Sequence, residues 1–190
     1  MRVIGGSARG RTLRGPRRAR RGESPLRPTS DLVRGVIFDM LDAMGADYSR
    51  VLDLYAGTGA LGIEALSRGD GTADFVESDP RAAEVIEANL SLTGFADRAR
   101  VHRRPAERAV RELGGPYTLV LADPPYYDDA AIRLVGEVAG SPIVGASTVL
   151  VLEHHRRTEA PERFGRMRLY RSRQHGDTVV SIYQQDEEGP

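Results

Sequence analysis

The chain has 190 residues, a length that fits one domain and allows about 70% of the unfolded surface to be buried. Hydrophobic residues make up 40% and charged residues 28% of the sequence, which is typical of folded globular proteins and excludes a wholly disordered chain. The sequence has no apolar run near the ~20 residues of a membrane helix, no apolar signal-peptide core at its start, and no Cys. These absences argue against a membrane protein, a disulfide scaffold and a cysteine-ligated metal site.

Charge is unevenly distributed along the chain. All 27 basic residues are arginines, and ten of them lie in residues 1–34, where only two residues are acidic. This segment therefore carries +8, and the remaining 156 residues carry −8 because the whole chain is neutral. A basic arm beside an acidic body is typical of proteins that bind a polyanion. The alternative is a solvated tail with no partner.

The first elements belong to this basic arm. Residues 2–13 predict two short strands around a Gly-rich turn, and residues 14–28, which mix Gly and Pro with arginines, predict a loop. Apolar residues at helical spacing then predict a helix over about 31–44, capped by Ser30 or Thr29.

From residue 50 onward, short apolar strands alternate with amphipathic helices, which predicts an α/β fold with helices on both faces of a mostly parallel sheet. The predicted strands are 51–55, 73–77, 100–103, 117–122 and 148–153. The predicted helices are 60–67, 80–92, 106–113 and 128–139. Two further strands, 167–172 and 178–184, flank a turn and predict a closing antiparallel hairpin, so the sheet is expected to have seven strands.

A glycine-rich loop joins the strand 51–55 to the next helix. Gly57, Gly59 and Gly62 have the G-x-G-x-x-G spacing in the strand–turn–helix context of a nucleotide-binding loop. Glu77 ends the following strand, where a carboxylate can bind ribose hydroxyls. A dinucleotide and S-adenosylmethionine are the two candidate ligands. Asp53 favours the second, because its carboxylate would repel a pyrophosphate and attract the ammonium of a methionine moiety.

The tetrapeptide Asp123-Pro-Pro-Tyr126 follows a strongly apolar strand. The two prolines lack N–H donors and stiffen the loop, which leaves the Asp123 carboxylate and the Pro124 carbonyl free to face a ligand. The alternative is a stiff turn with a packed tyrosine. The tetrapeptide resembles the catalytic motif of methyltransferases that modify exocyclic amines of bases: adenine N6, cytosine N4 or guanine N2. This resemblance implies that Asp123 and Pro124 accept the two amine N–H groups and that Tyr126 stacks on the base.

Over nearly its whole length the chain resembles the RsmD family, bacterial enzymes that methylate a guanine N2 in 16S ribosomal RNA. The resemblance rests on the amino-terminal segment 2–13, the segments Leu26-Arg-Pro-Thr29 and Asp31-Leu-Val-Arg34, the two loops above, and the closing hairpin from Tyr170 to Tyr183. It implies a Rossmann-like methyltransferase domain over 29–190, preceded by a basic hairpin-and-loop extension over 1–28.

The resemblance also implies further site residues. The cofactor contacts are expected from Thr29, Asp53, Gly57, Gly59, Glu77, Ala106 and Asp123. The arginines expected to contact RNA are Arg9, Arg11, Arg14, Arg17, Arg18, Arg20 and Arg21. We expect a cytoplasmic monomer whose partner is 16S ribosomal RNA, free or in an assembling small subunit, with no membrane partner. The alternatives are a DNA adenine-N6 methyltransferase and a non-catalytic RNA-binding assembly factor.

The remaining polar residues predict no second site. The four histidines are not spaced with acidic residues as metal ligands are, so no metal is expected. His154 and His155 are expected as an exposed pair at a strand end, and Glu64 is expected to have a structural role.

Overall fold

The computed structural model describes residues 1–15, 31–125 and 129–185. Its helices are α1 (Asp31–Ala43), α2 (Ala60–Arg68), α3 (Pro80–Thr93), α4 (Ala106–Glu112) and α5 (Asp129–Ala139), with one turn of 3₁₀-helix at Ala96–Arg98. Its strands are β1 (Arg50–Leu54), β2 (Thr72–Glu77), β3 (Ala99–Arg103), β4 (Tyr117–Ala122), β5 (Val144–His155), β6 (Arg163–Phe164), β7 (Met167–His175) and β8 (Thr178–Gln185). None of the described helices has the length and apolar content that spanning a bilayer requires.

All described strands form one sheet in the order β3-β2-β1-β4-β5-β8-β7-β6. The first five strands in this order pair in parallel, and the last three add antiparallel pairs. The predicted α/β architecture with a closing hairpin is therefore confirmed. The predicted strand number of seven is wrong, because β6 forms an eighth strand. It is two residues long, too short to produce an alternating pattern in the sequence.

The strands of the sheet centre are buried on both faces, which explains their continuous apolar sequences. One face, with Val51 and Leu121, packs with residues of α1, α2 and α3. The opposite face, with Leu52 and Val120, packs with residues of α4 and α5. This double cover leaves the strand ends and their loops as the places where polar side chains can act.

The amino-terminal residues pack into the first of these cores. Val3, Ala8 and Leu13 are buried there. The hairpin predicted over 2–13 is present in a short form: Arg2 and Thr12 form an antiparallel bridge flanked by three backbone hydrogen bonds, which is less than two full strands. The α2 residue Glu64 and apolar contacts also hold the segment.

Glu64 is 1% exposed and anchors this segment from α2. Its carboxylate accepts hydrogen bonds from the backbone N–H groups of Ile4 (2.8 Å) and Gly5 (2.7 Å). It also forms an ion pair with Arg68 at 3.0 Å and lies 3.6 Å from Nε of the fully buried Arg34. These contacts agree with the structural role expected for Glu64.

Two local expectations about polar residues have clear outcomes. Asp79 caps α3 by accepting from the Arg81 N–H, with Pro80 as the first helical residue, as the sequence suggests. The expectation that His154 and His155 are exposed is wrong, since each is 6% exposed. Both pair with β8, a strand distant in sequence that covers the end of β5. The predicted caps of α1, Thr29 and Ser30, lie outside the described residues.

Candidate active site

The candidate site lies at the carboxyl edge of the sheet, where β1, β2 and β4 end side by side. The last residue of β1, Leu54, is in register with Val76 of β2 and Ala122 of β4. Each of these strands therefore places an acidic residue at this edge: Asp53, Glu77 and Asp123. In open α/β sheets this edge is where ligands bind, at the point where strand order reverses.

The loop after β1 is tightly wound and open to this edge. Tyr55 has a φ of 59° and Gly57 a φ of 55°, so both lie in the left-handed region. Glycine adopts this region freely, but for Tyr55 it is strained, and such backbone strain is common at functional sites. A Cβ on Gly57 would meet nothing closer than the Tyr55 carbonyl oxygen at 3.9 Å, so a ligand can approach the backbone there. Gly62, by contrast, allows α2 to pack closely, because a Cβ there would lie 2.3 Å from the Phe75 ring.

Asp53 is the most unusual group of the site, because its carboxylate is almost completely buried and acidic side chains are rarely buried. It is 1% exposed, and its Oδ2 accepts from the Gly62 N–H at 2.8 Å. Among the described residues no hydrogen-bond donor reaches its Oδ1. Burial raises the pKa of Asp53 to about 8, with further contributions from the negative charges of Asp123 and Glu77. Because burial disfavours the charged form of this carboxyl, a cation bound beside it would stabilise that charge, so the position is suited to a positively charged ligand.

Glu77 closes the glycine loop from the neighbouring strand. Its two carboxylate oxygens accept from the backbone N–H groups of Gly57 and Asp79, each at 2.8 Å. Carboxylate oxygens have several acceptor directions, so Glu77 retains the capacity to bind hydroxyl groups of a ligand. This arrangement fixes the loop and the carboxylate relative to each other.

The second predicted loop starts where β4 ends. Asp123 is partly exposed, Pro124 is buried and Pro125 is exposed. The Asp123 N–H lies 3.5 Å from the Leu54 carbonyl oxygen, which places the start of this loop directly beside the glycine loop. Tyr126 lies outside the described residues, so its predicted stacking role stays a prediction. Ala106 is buried as the first residue of α4.

The structure also reveals a polar link that the sequence does not predict. Asn89 of α3 is fully buried. Its Oδ1 accepts from the Arg14 N–H at 2.7 Å, and its Nδ2 donates to the carbonyl oxygens of Arg14 (3.1 Å) and Thr58 (3.0 Å). Asn89 therefore joins the backbone of the basic arm, at Arg14, to the glycine loop, at Thr58. These partners are distant in sequence, so no local pattern identifies them.

The described part of the arm is exposed at its predicted RNA-contacting residues, Arg9, Arg11 and Arg14. Arg11 donates to the Leu92 carbonyl oxygen at 2.8 Å, so its guanidinium lies against the end of α3. The other predicted arm residues, Arg17, Arg18, Arg20 and Arg21, and the predicted cofactor contact Thr29 lie outside the described residues. Within the described ranges, no three His, Asp or Glu side chains are grouped so as to hold a metal ion.

Comparison with known proteins identifies the family. A protein-family model described as "Conserved hypothetical protein 95" matches residues 1–184. The chain is 38% identical to "Putative rRNA methyltransferase YlbH" of Bacillus subtilis, covering 96% of this chain and 98% of that protein. It is 31% identical to "Ribosomal RNA small subunit methyltransferase D" of Escherichia coli K12, covering 100% of this chain and 92% of that protein. The chain belongs to the RsmD family.

The fold comparison agrees with this assignment. The solved structure "Putative methyltransferase yhhF" from Escherichia coli is 30% identical, with a TM-score of 0.78 over 99% of both chains. The RsmD-family assignment and the methyltransferase fold class predicted from the sequence are therefore confirmed. The family and the fold class also agree with the predicted cofactor, S-adenosylmethionine.

The described residues fit this cofactor at two points. S-adenosylmethionine carries an ammonium group, and Asp53 offers a buried carboxylate oxygen without a partner among the described residues. The open backbone at Gly57 gives a ligand access to the loop, and the Glu77 carboxylate adjoins it. In this family member the site therefore has the negative charge and the loop geometry that such a ligand requires.

The raised pKa of Asp53 predicts a pH dependence of ligand binding. S-adenosylhomocysteine should bind about tenfold more tightly at pH 7 than at pH 6, because the ionised fraction of Asp53 grows about tenfold per pH unit below its pKa of about 8. The Asp53→Asn variant should bind weakly and with little pH dependence. Isothermal calorimetry at both pH values measures this, with the exposed Asp70→Asn as the matched control.

The same pKa sets the sign of a stability effect. In the folded protein without ligand the pKa, about 8, lies above the ordinary value of 3.8, so the folded chain retains a proton that the unfolded chain releases between these values. The contribution of Asp53 to the free energy of unfolding therefore decreases as pH rises from about 4 to about 8.

For the ligand-binding prediction, equal affinities of wild type and Asp53→Asn for S-adenosylhomocysteine at pH 7 would contradict the assignment of Asp53 to the ligand.

Proposed function

We propose that this protein transfers a methyl group from S-adenosylmethionine to the exocyclic N2 amine of a guanine in 16S ribosomal RNA. The observation that carries the proposal is the buried Asp53 carboxylate, held at the same sheet edge as the Asp123-Pro124 loop. The Asp53 carboxylate is suited to bind a cationic methyl donor, and the Asp123-Pro124 loop is suited to bind the amine that accepts the methyl group. The names of the Bacillus subtilis and Escherichia coli relatives support ribosomal RNA as the substrate class.

Cofactor binding is assigned to the two loops and their neighbours. Asp53 binds the ammonium and the backbone of Gly57 and Gly59 surrounds the methionine half, while Glu77 accepts from the ribose hydroxyls and Ala106 contacts the adenine. Thr29, which lies outside the described residues, is assigned a contact with the cofactor. When bound, S-adenosylmethionine supplies an electrophilic methyl group on a sulfonium centre.

Asp123 and Pro124 act on the amine. An aryl amine is a weak nucleophile because its lone pair is delocalised into the ring. The Asp123 carboxylate and the Pro124 carbonyl oxygen accept its two N–H groups and favour the pyramidal geometry in which the lone pair is available. Tyr126 stacks on the guanine. When the amine nitrogen takes the methyl group, the methyl carbon–sulfur bond of the donor would break with its electron pair left on sulfur, which gives S-adenosylhomocysteine. The nitrogen gives up one proton, which the Asp123 carboxylate accepts and passes to solvent.

Positioning accounts for most of the expected rate acceleration, because holding two reactants in line removes much of the entropic barrier. A guanine within folded RNA must first leave its stack, at a cost of a few kcal/mol. The exposed arginines of the arm, Arg9 and Arg14 among them, supply phosphate contacts that offset this cost. We place the reaction in the cytoplasm and assign it to a monomer.

An in vitro assay tests this function. The purified protein is incubated with methyl-labelled S-adenosylmethionine and, in separate reactions, 16S ribosomal RNA, 23S ribosomal RNA and duplex DNA. The products are digested to nucleosides and separated. N2-methylguanosine from 16S ribosomal RNA supports the proposal. N6-methyladenine, label in DNA alone, or RNA binding without any transfer would each replace it with one of the alternatives.

A further inference from the structure

The outer part of strand β7 is exposed in a way that the methyltransferase core does not require. Every residue from Tyr170 to His175 is exposed, so neither face of this segment is covered. On the outer side, β6 pairs only with Met167 and Arg168. Beyond Arg168, no described strand pairs with this edge. The segment is an open strand edge held by β8 alone.

A β-bulge lies at the start of this open edge. Leu169 is in register with Tyr183 and Arg171 with Ile182, so Tyr170 is an extra residue on β7 with no partner in the register. Bulges redirect a side chain away from the regular alternation. The Tyr170 ring is 49% exposed, and the Arg171 guanidinium lies 5.7 Å from its centroid. The bulge thus places an aromatic ring and a guanidinium group next to each other on the surface.

The charge of this edge is positive. β7 contains Arg168, Arg171 and Arg173 and has no acidic residue. The nearby acidic residue of the hairpin turn, Asp177, forms an ion pair with Arg156 at 2.9 Å. Neither Arg171 nor Arg173 forms an ion pair with an acidic residue of the described chain. Arginine on an open edge also prevents strand-to-strand aggregation, but that role does not explain an exposed tyrosine on a bulge.

The edge lies on the active-site side of the sheet. Arg173 is in register with Val180 of β8, which is in register with Glu153 of β5. Glu153 follows Leu152, the partner of Ala122, so Arg173 lies at the level of Asp123. Three strand spacings separate β7 from β4, a distance of about 14 Å. Single-strand sites on other proteins extend over ~4–16 nucleotides, so one RNA segment can span this distance.

We propose that Tyr170 and Arg171 form a stacking platform that binds an unpaired base of the substrate RNA, while Arg173 contacts an adjacent phosphate. Stacking on an aromatic ring and on a guanidinium plane is a general mode of binding unpaired bases. Tyr170 lies lower along β7 than Arg173, because its neighbour Leu169 is at the level of Leu150 through Tyr183. The platform therefore holds the RNA beside the site, with Arg173 nearer the carboxyl edge, while the target guanine enters the Asp123 loop. The proposal rests on the proposed function, since it takes RNA as the substrate.

Filter-binding titrations test the platform with two probes, oligoadenylate and 16S ribosomal RNA transcribed in vitro. Tyr170→Ala should weaken oligoadenylate binding by about fivefold to a hundredfold, because the stacking of one base is removed. Tyr170→Phe should bind like the wild type, since stacking needs the ring and not the hydroxyl. The double variant Arg171→Ala/Arg173→Ala should lower the slope of log affinity against log salt by about 0.7, the value for the one phosphate that Arg173 no longer neutralises.

The controls separate this proposal from the proposed function. Arg111→Ala, an exposed arginine in the last turn of α4, should change neither the affinity nor the slope. S-adenosylhomocysteine affinity and the melting temperature should stay constant in every variant. If the wild type methylates ribosomal RNA and Tyr170→Ala binds both probes as tightly as the wild type, the platform alone is disproved. If Tyr170→Phe loses as much affinity as Tyr170→Ala, stacking is disproved. If the wild type transfers no methyl group to RNA, the proposed function is disproved, and the platform proposal, which rests on it, is disproved with it.

Discussion

Replacing Asp123 with Ala is expected to lower the rate of methyl transfer by ~10²–10³, because an acceptor that acts mainly in the transition state is removed. Asp123 lies at the end of β4 beside the glycine loop, where it can accept an N–H of the target amine. Its negative charge also contributes to the raised pKa of Asp53. Removing that charge eases the ionisation of Asp53, so binding of S-adenosylhomocysteine should be nearly unchanged or slightly tighter at neutral pH.

Single-turnover assays with saturating cofactor and RNA measure the expected loss, and calorimetry measures the affinity. Asp70→Ala is the matched control, because Asp70 is exposed and precedes β2 at the opposite edge of the sheet. An Asp123→Ala variant that retains most of its activity would disprove the role given to the tetrapeptide. A variant that loses cofactor binding together with activity would instead assign Asp123 to the cofactor alone.

The second large effect is expected on stability, at Glu64. Glu64→Ala removes the acceptor of the Ile4 and Gly5 N–H groups and the buried one of two acidic partners of Arg68. It also leaves the buried Arg34 with the exposed Asp31 as its acidic partner. Breaking a buried ion pair by removing one partner costs about 3–5 kcal/mol, so the free energy of unfolding should fall by about that amount. The first residues of the chain should also become sensitive to protease, because their anchor is removed.

Urea denaturation followed by circular dichroism measures this loss, and mass spectrometry of brief proteolysis products measures the release of the amino terminus. If Glu64→Ala does not fold, Glu64→Gln tests the same point, since it keeps the side-chain length but removes the charge and one of the two oxygens that accept the Ile4 and Gly5 N–H groups. Glu87→Ala is the control: Glu87 pairs with Arg103 on the surface, where both side chains are nearly half exposed, and its loss should not move the unfolding midpoint. Equal midpoints for Glu64→Ala and the wild type would contradict the anchoring role.

The elements of this fold that the sequence predicts are those with a local signal. Strands buried on both faces give continuous apolar runs, so β1 and β4 are found close to their true bounds. The glycine spacing and Asp53 are likewise local features, and the structure brings them together with Glu77 and Asp123 because parallel strands end at one edge.

The features that sequence analysis misses depend on tertiary contacts. His154 and His155 are polar residues of a type that usually lies at the surface, but they are buried where β5 pairs with β8, a strand that comes later in the chain. The amino-terminal hairpin predicted over 2–13 is present but short, and the sequence does not indicate that apolar side chains and Glu64 also anchor it to the core. Asn89 contacts Arg14 and Thr58, which are 75 and 31 residues away, and nothing in its own neighbourhood indicates this.

The central claim is tested most directly by mass spectrometry of ribosomal RNA nucleosides from cells with and without this gene. Small-subunit RNA is purified away from large-subunit RNA before digestion. Deletion should remove close to one N2-methylguanosine per 16S ribosomal RNA molecule, leave the large subunit and N6-methyladenosine unchanged, and be reversed by the wild-type gene but not by Asp123→Ala. An unchanged N2-methylguanosine content in 16S ribosomal RNA, or restoration by Asp123→Ala, would contradict the proposed reaction and its chemistry.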